Sequence, residues 1–225
     1  MPRVSKRTRE NSKIATEDAL PLTEAVALLK KFKATKFDQT VECCIHLGID
    51  TAQADQGIRG AVALPRGLGK SKRVIAFCGP DSVKAAMEAG AIEAGGEELV
   101  KKITDGWMDF DVAVASPDMM RIVSRLGKQL GPRGLMPSPK AGTVTPDITG
   151  AVREYAAGKI EYRNDKGGNV QAPVGKMSFK AEDIAANVEH FIHTIERAKP
   201  AATKGVYIKK IVISGTMTPG VRIAM

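Results

Sequence analysis

Two periods of hydrophobic positions alternate along the chain. "QTVECCIHLGI" (39–49) repeats every second residue, with Val41, Cys43, Ile45 and Leu47 on one face, as a half-buried strand requires. "PLTEAVALLKKF" (21–32) repeats at helical spacing through Leu22, Ala25, Val26, Leu29 and Phe32. Between them and the C-terminal third the pattern changes to short continuous apolar runs separated by helices. "KRVIAFCG" (72–79) and "FDVAVA" (110–115) suit strands buried on both faces. "PDSVKAAMEAG", "GGEELVKKITDG" and "DITGAVREYAAG" read as helices stopped by glycine. Ser116 is placed to cap a further helix, with Pro117 at its first position, running through "DMMRIVSRLGKQL". Such a βαβα order predicts a parallel sheet covered by helices, a Rossmann-like unit.

After residue 158 alternation returns. "KIEYR" and "NVQAPVGKMSF" are strands joined by the turn "NDKGG", followed by the long helix "KAEDIAANVEHFIHTIERAKP" and a last strand, "KGVYIKKIVISGTM". Neither flank alone has the roughly 70–80 residues that a stable core needs. The expected architecture is therefore mixed, α/β and α+β. An α+β domain built from both termini (1–67 and 159–225) receives an inserted Rossmann-like α/β domain (68–158). The two chain crossings near "LPRGLGK" and "AAGKI" would form a two-stranded hinge.

Charge adds a partner class. The 225 residues carry 34 Lys and Arg against 25 Asp and Glu, a net +9, which favours a polyanion. The stretch 68–159 holds 13 cations and 11 acids, leaving 21 and 14 for the flanks, so the excess sits on the domain made from the termini. The basic start, "MPRVSKRTRENSK", has no apolar core of a secretory signal, and Glu10, Glu17 and Asp18 break a transit pattern. With no apolar run near membrane length, a cytoplasmic chain is expected. Cys43, Cys44 and Cys78 form no CxxC pair and suit reduced thiols.

Catalytic and nucleotide motifs fail on spacing. "LPRGLGKS" (64–71) has Gly69-Lys70-Ser71 but Leu64 where a P-loop needs glycine, and it precedes a strand instead of following one. No GxGxxG follows "VIAFCG", and no GxSxG or HExxH occurs. His190 and His193 lie one turn apart between Glu189 and Glu196, without the further ligand that zinc requires. No enzyme activity, cofactor, metal or small-molecule substrate is expected. Aromatic residues are only 4% of the chain, so stacking on many bases is disfavoured relative to phosphate and 2′-hydroxyl contacts on a folded RNA.

"LGKQLGPRGLMPSPKAGTVTPDI" (126–148) resembles the signature segment of the large-subunit ribosomal protein L-one family, the protein of the mobile stalk beside the tRNA exit site. The resemblance extends in order through "KFDQTVECCIHLGID", residues 59–71, "GWMDFDVAVASPDMM", "KIEYRNDKGGNVQAPVGK" and "KGVYIKKIVISGTM", nearly the whole chain. It implies two domains, one inserted in the other, and a structural role in the large subunit. The implied partners are the rRNA stalk, exit-site tRNA, whose deacylated form is released, and the protein's own mRNA, whose translation is repressed.

Residue by residue, the resemblance implies rRNA contacts on the termini-built domain. Lys36 would meet phosphate and Phe37 a sugar or base. Arg163 and Lys166 match the family's cationic hairpin. Thr216 would meet a 2′-hydroxyl and Met217 offer a flat apolar contact. The family usually has glycine after that methionine; here Thr218 stands there, with Gly220 two residues on, which puts backbone contacts at that point in doubt. Lys128, Arg133 and Lys140 in the glycine- and proline-rich segment are candidates for secondary contacts to rRNA or tRNA, the alternative being a stiff interdomain loop. An enzyme using the α/β insert and a purely structural module remain the competing readings.

Overall fold

The computed structural model describes residues 5–53 and 55–224. The chain forms α1 (Lys6–Ile14), α2 (Leu22–Lys31), β1 (Thr40–Leu47) and β2 (Arg59–Val62). It continues with β3 (Val74–Phe77), α3 (Pro80–Glu88), β4 (Glu93–Gly95), α4 (Glu97–Thr104), β5 (Val112–Ala115), α5 (Met120–Val123), α6 (Gly127–Leu130) and α7 (Ile148–Ala156). Last come β6 (Ile160–Arg163), β7 (Asn169–Lys176), α8 (Ala181–Arg197), β8 (Ile208–Gly215) and β9 (Val221–Ile223). Contacts divide these into two compact units: everything described up to Gly69 together with everything from Ile160, and Lys70–Lys159. The mixed α/β and α+β class read from the hydrophobic pattern is the one observed.

In the first unit β7, β1, β8 and β9 form an antiparallel sheet in that order. Val41, Cys43, Ile45 and Leu47 of the central strand are at most 1% exposed. They pack in one core with Ala25, Val26 and Leu29 of α2 and with Ile184, Val188, Phe191 and Ile195 of α8. Full burial of such side chains stabilises by roughly 1.5–3 kcal/mol each. Both helices bring their apolar stripes to this one face. Pro173 in β7 has no N–H, and the β1–β7 register slips beside it, between Val41 and Glu42. A short second sheet pairs β2 with β6.

Buried Asn187 on α8 closes the segment that leaves this unit. Its Oδ1 accepts from Arg66 N at 3.0 Å, and its Nδ2 donates to Gly67 O at 3.1 Å and Val174 O at 2.8 Å. Tyr207 OH donates to Ile195 O at 3.0 Å, and burial pushes its phenol up to about 12.

The second unit has a parallel sheet ordered β4-β3-β5. Alternate residues feed two cores: Val74, Ala76, Val112 and Val114 pack with Ile148, Val152 and Tyr155 of α7. Ile75, Phe77, Ala113 and Ala115 pack with Leu99 and Ile103 of α4 and with Val123, Leu126 and Leu130. That two-sided burial explains the continuous apolar runs. The helix expected from Pro117 differs: residues 117–119 form a turn in which Met119 N donates to Ser116 O at 3.1 Å. Ser116 makes no side-chain cap, α5 starts at Met120, and a 3₁₀ turn (Ser124–Leu126) separates it from α6.

The segment 127–147 is tied to this sheet. Ala115 N donates to Thr143 O at 2.9 Å, and Thr145 N donates back to Ala115 O at 3.1 Å. Thr143 Oγ1 accepts from Ser138 N at 2.8 Å, while Tyr155 OH donates to Ala141 O at 2.5 Å. Gly142 supplies the left-handed turn between them, at φ +70°.

Candidate nucleic-acid interface

The period that buries one face of the central sheet turns the complementary residues outward. On β1 these are Thr40, Glu42, Cys44 and His46, none of them buried. Register places Glu42 between Pro173 and Ser214, Cys44 between Gln171 and Val212, and His46 between Asn169 and Lys210. Arg222 of β9 follows Val212 in the middle row. A bulge between His46 and Leu47 skips Lys209, so Lys209 and Lys210 are both exposed. This polar face carries no described helix in its core, because α2 and α8 both pack on the other side.

The candidate contact residues gather at the two ends of that face. At one end Lys36 and Phe37 occupy the bend before β1. Thr35 Oγ1 donates to Phe37 O at 2.8 Å, and Phe37 is left 51% exposed. Thr216 and Met217 follow β8 at the same end. Thr40 N donates to Thr216 Oγ1 at 3.2 Å, and Thr216 N to Thr40 O at 3.1 Å. Met217 N donates to Gln39 Oε1 at 2.8 Å, while its side chain is 53% exposed. Asp38, next to Phe37, is held by Ser178, whose N and Oγ donate to its two carboxylate oxygens at 3.1 and 2.8 Å.

Thr218 has a structural task where the family pattern has glycine. Its Oγ1 accepts from Gly215 N at 2.7 Å, and its N donates to Gly215 O at 3.1 Å, closing the turn after β8. Among the described residues no non-glycine residue has a positive φ, so threonine fits the turn without strain.

Arg163 and Lys166 stand at the other end, six residue steps along β1, about 20 Å away at ~3.4 Å per residue. Arg163 is exposed and lies opposite Arg59, a cross-strand pair of like charges. Arg59 is neutralised in part by Glu161 at 3.5 Å. Lys166 sits in the turn of the hairpin, where its carbonyl accepts from Thr51 Oγ1 at 2.8 Å. Asp165 Oδ1 accepts from Gly167 N and Asn169 N, both at 2.8 Å. These donors hold the Asp165 carboxyl below its usual range, the Asn169 backbone N–H first, and nearby His46 adds to the effect. His46 Nδ1 lies 2.9 Å from Asn169 Oδ1, joining this hairpin to the open face.

Neither thiol of β1 is activated as a nucleophile. Burial pushes the Cys44 thiol up, Asp165 and Glu42 add to the shift, and Lys210 opposes it. Cys43, fully buried, is raised further by burial. Among the described residues no group of three or more His, Cys, Asp or Glu side chains could hold a metal ion.

In the second unit Lys128, Arg133 and Lys140 are all exposed, and among the described residues none pairs with a carboxylate. Arg121 and Arg125, in the broken helix before Lys128, are exposed as well. Sequence reading passed over these two arginines, and also over Arg59, Lys210, Arg222 and Gln39. The strict alternation of β1 was the available signal for the open face. The bulge that exposes both lysines of β8 leaves no such mark.

Comparison with known proteins places these features. Residues 29–219 match the Ribosomal protein L1p/L10e family. The chain is 50% identical over 224 residues to the large ribosomal subunit protein uL1 of Protochlamydia amoebophila, covering 99% of this chain and 95% of that one. It is also 50% identical over 224 residues to the protein of the same name from Lactiplantibacillus plantarum, covering 99% and 98%. The chain is thus similar over nearly all its length to ribosomal proteins of the large subunit, and it belongs to the Ribosomal protein L1p/L10e family.

Proposed function

We propose that the chain binds the stalk segment of large-subunit ribosomal RNA along the open face of its four-stranded sheet. The single observation that carries this reading is the pairing of two contact groups across one uncovered polar face. Phe37 and Met217, both more than half exposed, and Lys36 mark one end; Arg163 and Lys166 mark the other. A large apolar side chain held out by backbone hydrogen bonds costs burial energy unless a partner covers it. The net +9 and the scarcity of aromatic residues favour recognition through phosphates and 2′-hydroxyls, with few stacked bases. Membership of the family makes the chain a structural, ribosome-bound constituent of the large subunit, not a catalyst.

Thr216 is limited to one role on such an RNA. Its hydroxyl accepts from Thr40 N and donates to Thr40 O at 3.3 Å, which leaves one lone pair. A ribose 2′-hydroxyl can therefore donate to it but not accept from it.

The exposed cations of the second unit, Lys128, Arg133 and Lys140, meet exit-site tRNA and assist release of its deacylated form. The same sheet face binds the leader of the protein's own mRNA and represses its translation. The test is titration of the full chain with the stalk RNA, its own mRNA leader and an unrelated duplex at several salt concentrations. Stalk and leader RNA should bind more tightly than the duplex. Affinity should fall by roughly 0.7–0.9 log units per phosphate contact per log unit of salt. Equal affinity for all three RNAs would overturn the reading.

A further inference from the structure

The loop that holds Phe37 also encloses a cavity of about 260 Å³. Buried Phe32 and Gln39, with Met177, line it from inside, while Lys30, Phe37 and Asp38 are exposed residues on its wall. The volume is below the roughly 300–1,000 Å³ of drug-sized ligand sites and suits a single flat ring system.

Gln39 is what makes the cavity more than a dent in the surface. It is only 3% exposed, and the Met217 N–H it accepts fixes which end of its amide is oxygen. Its Nε2, with two N–H groups, has no hydrogen-bond partner among the described residues and stays within reach of solvent. An amide donor at a cavity, free of protein partners, is a group that a ligand can use. At the wall, Asp38 spends one lone pair of each oxygen on Ser178 and keeps the others. Lys30 Nζ donates to Phe179 O and retains two further N–H groups.

We propose that this cavity takes one unstacked nucleobase of the bound RNA, an inference that rests on the RNA-binding reading above. The base stacks on Phe37. Gln39 Nε2 donates to a ring nitrogen or carbonyl of its edge, and Asp38 accepts from an exocyclic amine. Adenine, cytosine and guanine offer both groups; uracil lacks the amine. Asp38 is thus the specificity-determining residue, and Gln39 a positioning one, in a surface that otherwise reads backbone.

The test is a thermodynamic cycle on the full chain with the stalk segment of its own large-subunit rRNA, made abasic at one unpaired position at a time. Gln39→Glu keeps an acceptor for Met217 N–H and removes the donor. Its added charge weakens every RNA alike and cancels in the cycle. One abasic position should weaken wild-type binding about 10-fold. At that position alone, the abasic and Gln39→Glu losses should fail to add. Phe37→Ala, at an exposed site that does not disturb folding, should show the same non-additivity. Uridine at that position should bind more weakly than the other three bases but more tightly than the abasic RNA. Additive losses at every position would overturn the cavity while leaving the RNA interface standing. A coupled position that prefers uridine would also overturn it. Failure of wild type to prefer stalk RNA over an unrelated duplex would overturn both.

Discussion

Thr216 and Thr40 clasp each other through backbone and side chain: Thr40 N donates to Thr216 Oγ1 at 3.2 Å and Thr216 N to Thr40 O at 3.1 Å. The residue proposed to meet RNA is therefore also the one that closes the end of the central strand pair. Thr216→Val keeps the shape and removes the hydroxyl, leaving Thr40 N–H without its side-chain acceptor. The expected loss is about 1 kcal/mol in urea denaturation, with the slope unchanged.

Phe37 and Met217 each leave about half of their surface exposed, so their removal should cost stability only modestly, by about 1 kcal/mol. Phe37→Ala and Met217→Ala should each weaken stalk RNA by about 10-fold, the scale of one stacked base. Binding to an unrelated duplex should change much less. Equal losses on both RNAs would count against a recognition role.

Arg163 and Lys166 face solvent at the far end of the sheet, so any RNA contact they make should act through charge. Arg163→Ala or Lys166→Ala should weaken all RNAs together and flatten the salt dependence by roughly 0.7–0.9 per lost contact. The triple variant Lys128→Ala, Arg133→Ala, Lys140→Ala should leave the stalk-RNA titration near wild type. It should alter the dissociation rate of deacylated tRNA from the exit site of reconstituted ribosomes. An unchanged rate would remove tRNA from the list of partners.

Asp165 organises the hairpin that presents Lys166. Its folded carboxyl titrates below its unfolded range, so its contribution is present above the unfolded value, near 4, and is lost as pH falls through the folded one. Protection of the Gly167 and Asn169 amides, relative to free-chain exchange at the same pH, should therefore fall below about pH 4. Asp165→Ala should show that loss of protection already at neutral pH, with weaker RNA binding but an intact core.

Asn187 is a costly position in the first unit. Asn187→Ala removes three hydrogen bonds and strands the buried Val174 carbonyl, for a loss of about 2–4 kcal/mol in thermal or urea unfolding.

The core was legible because burial imposes a period on the chain. Val41 to Leu47 announced one covered face, and the runs around Val74 and Val112 announced two. The interruption at Ser124–Leu126 was not legible. Arg121 to Leu130 keeps helical spacing whether the helix is continuous or broken, and only the packing of Val123, Leu126 and Leu130 against α4 and the sheet shows the break. The short strand β4, "EAG", has no β-branched or alternating residues to mark it and exists because β3 offers it a free edge.

By itself the sequence determined most of the elements, the mixed two-part class, the basic bias and the family resemblance. These follow from local periodicity, charge count and spacing, which act over a few residues. Only the tertiary structure decided that residues 36–37 and 216–217 share one end of a sheet while 163 and 166 stand at the other. It alone left Gln39 buried beside Met217 with an unused amide donor. Such relations are set by strand register between segments more than a hundred residues apart, and register depends on how the whole core packs.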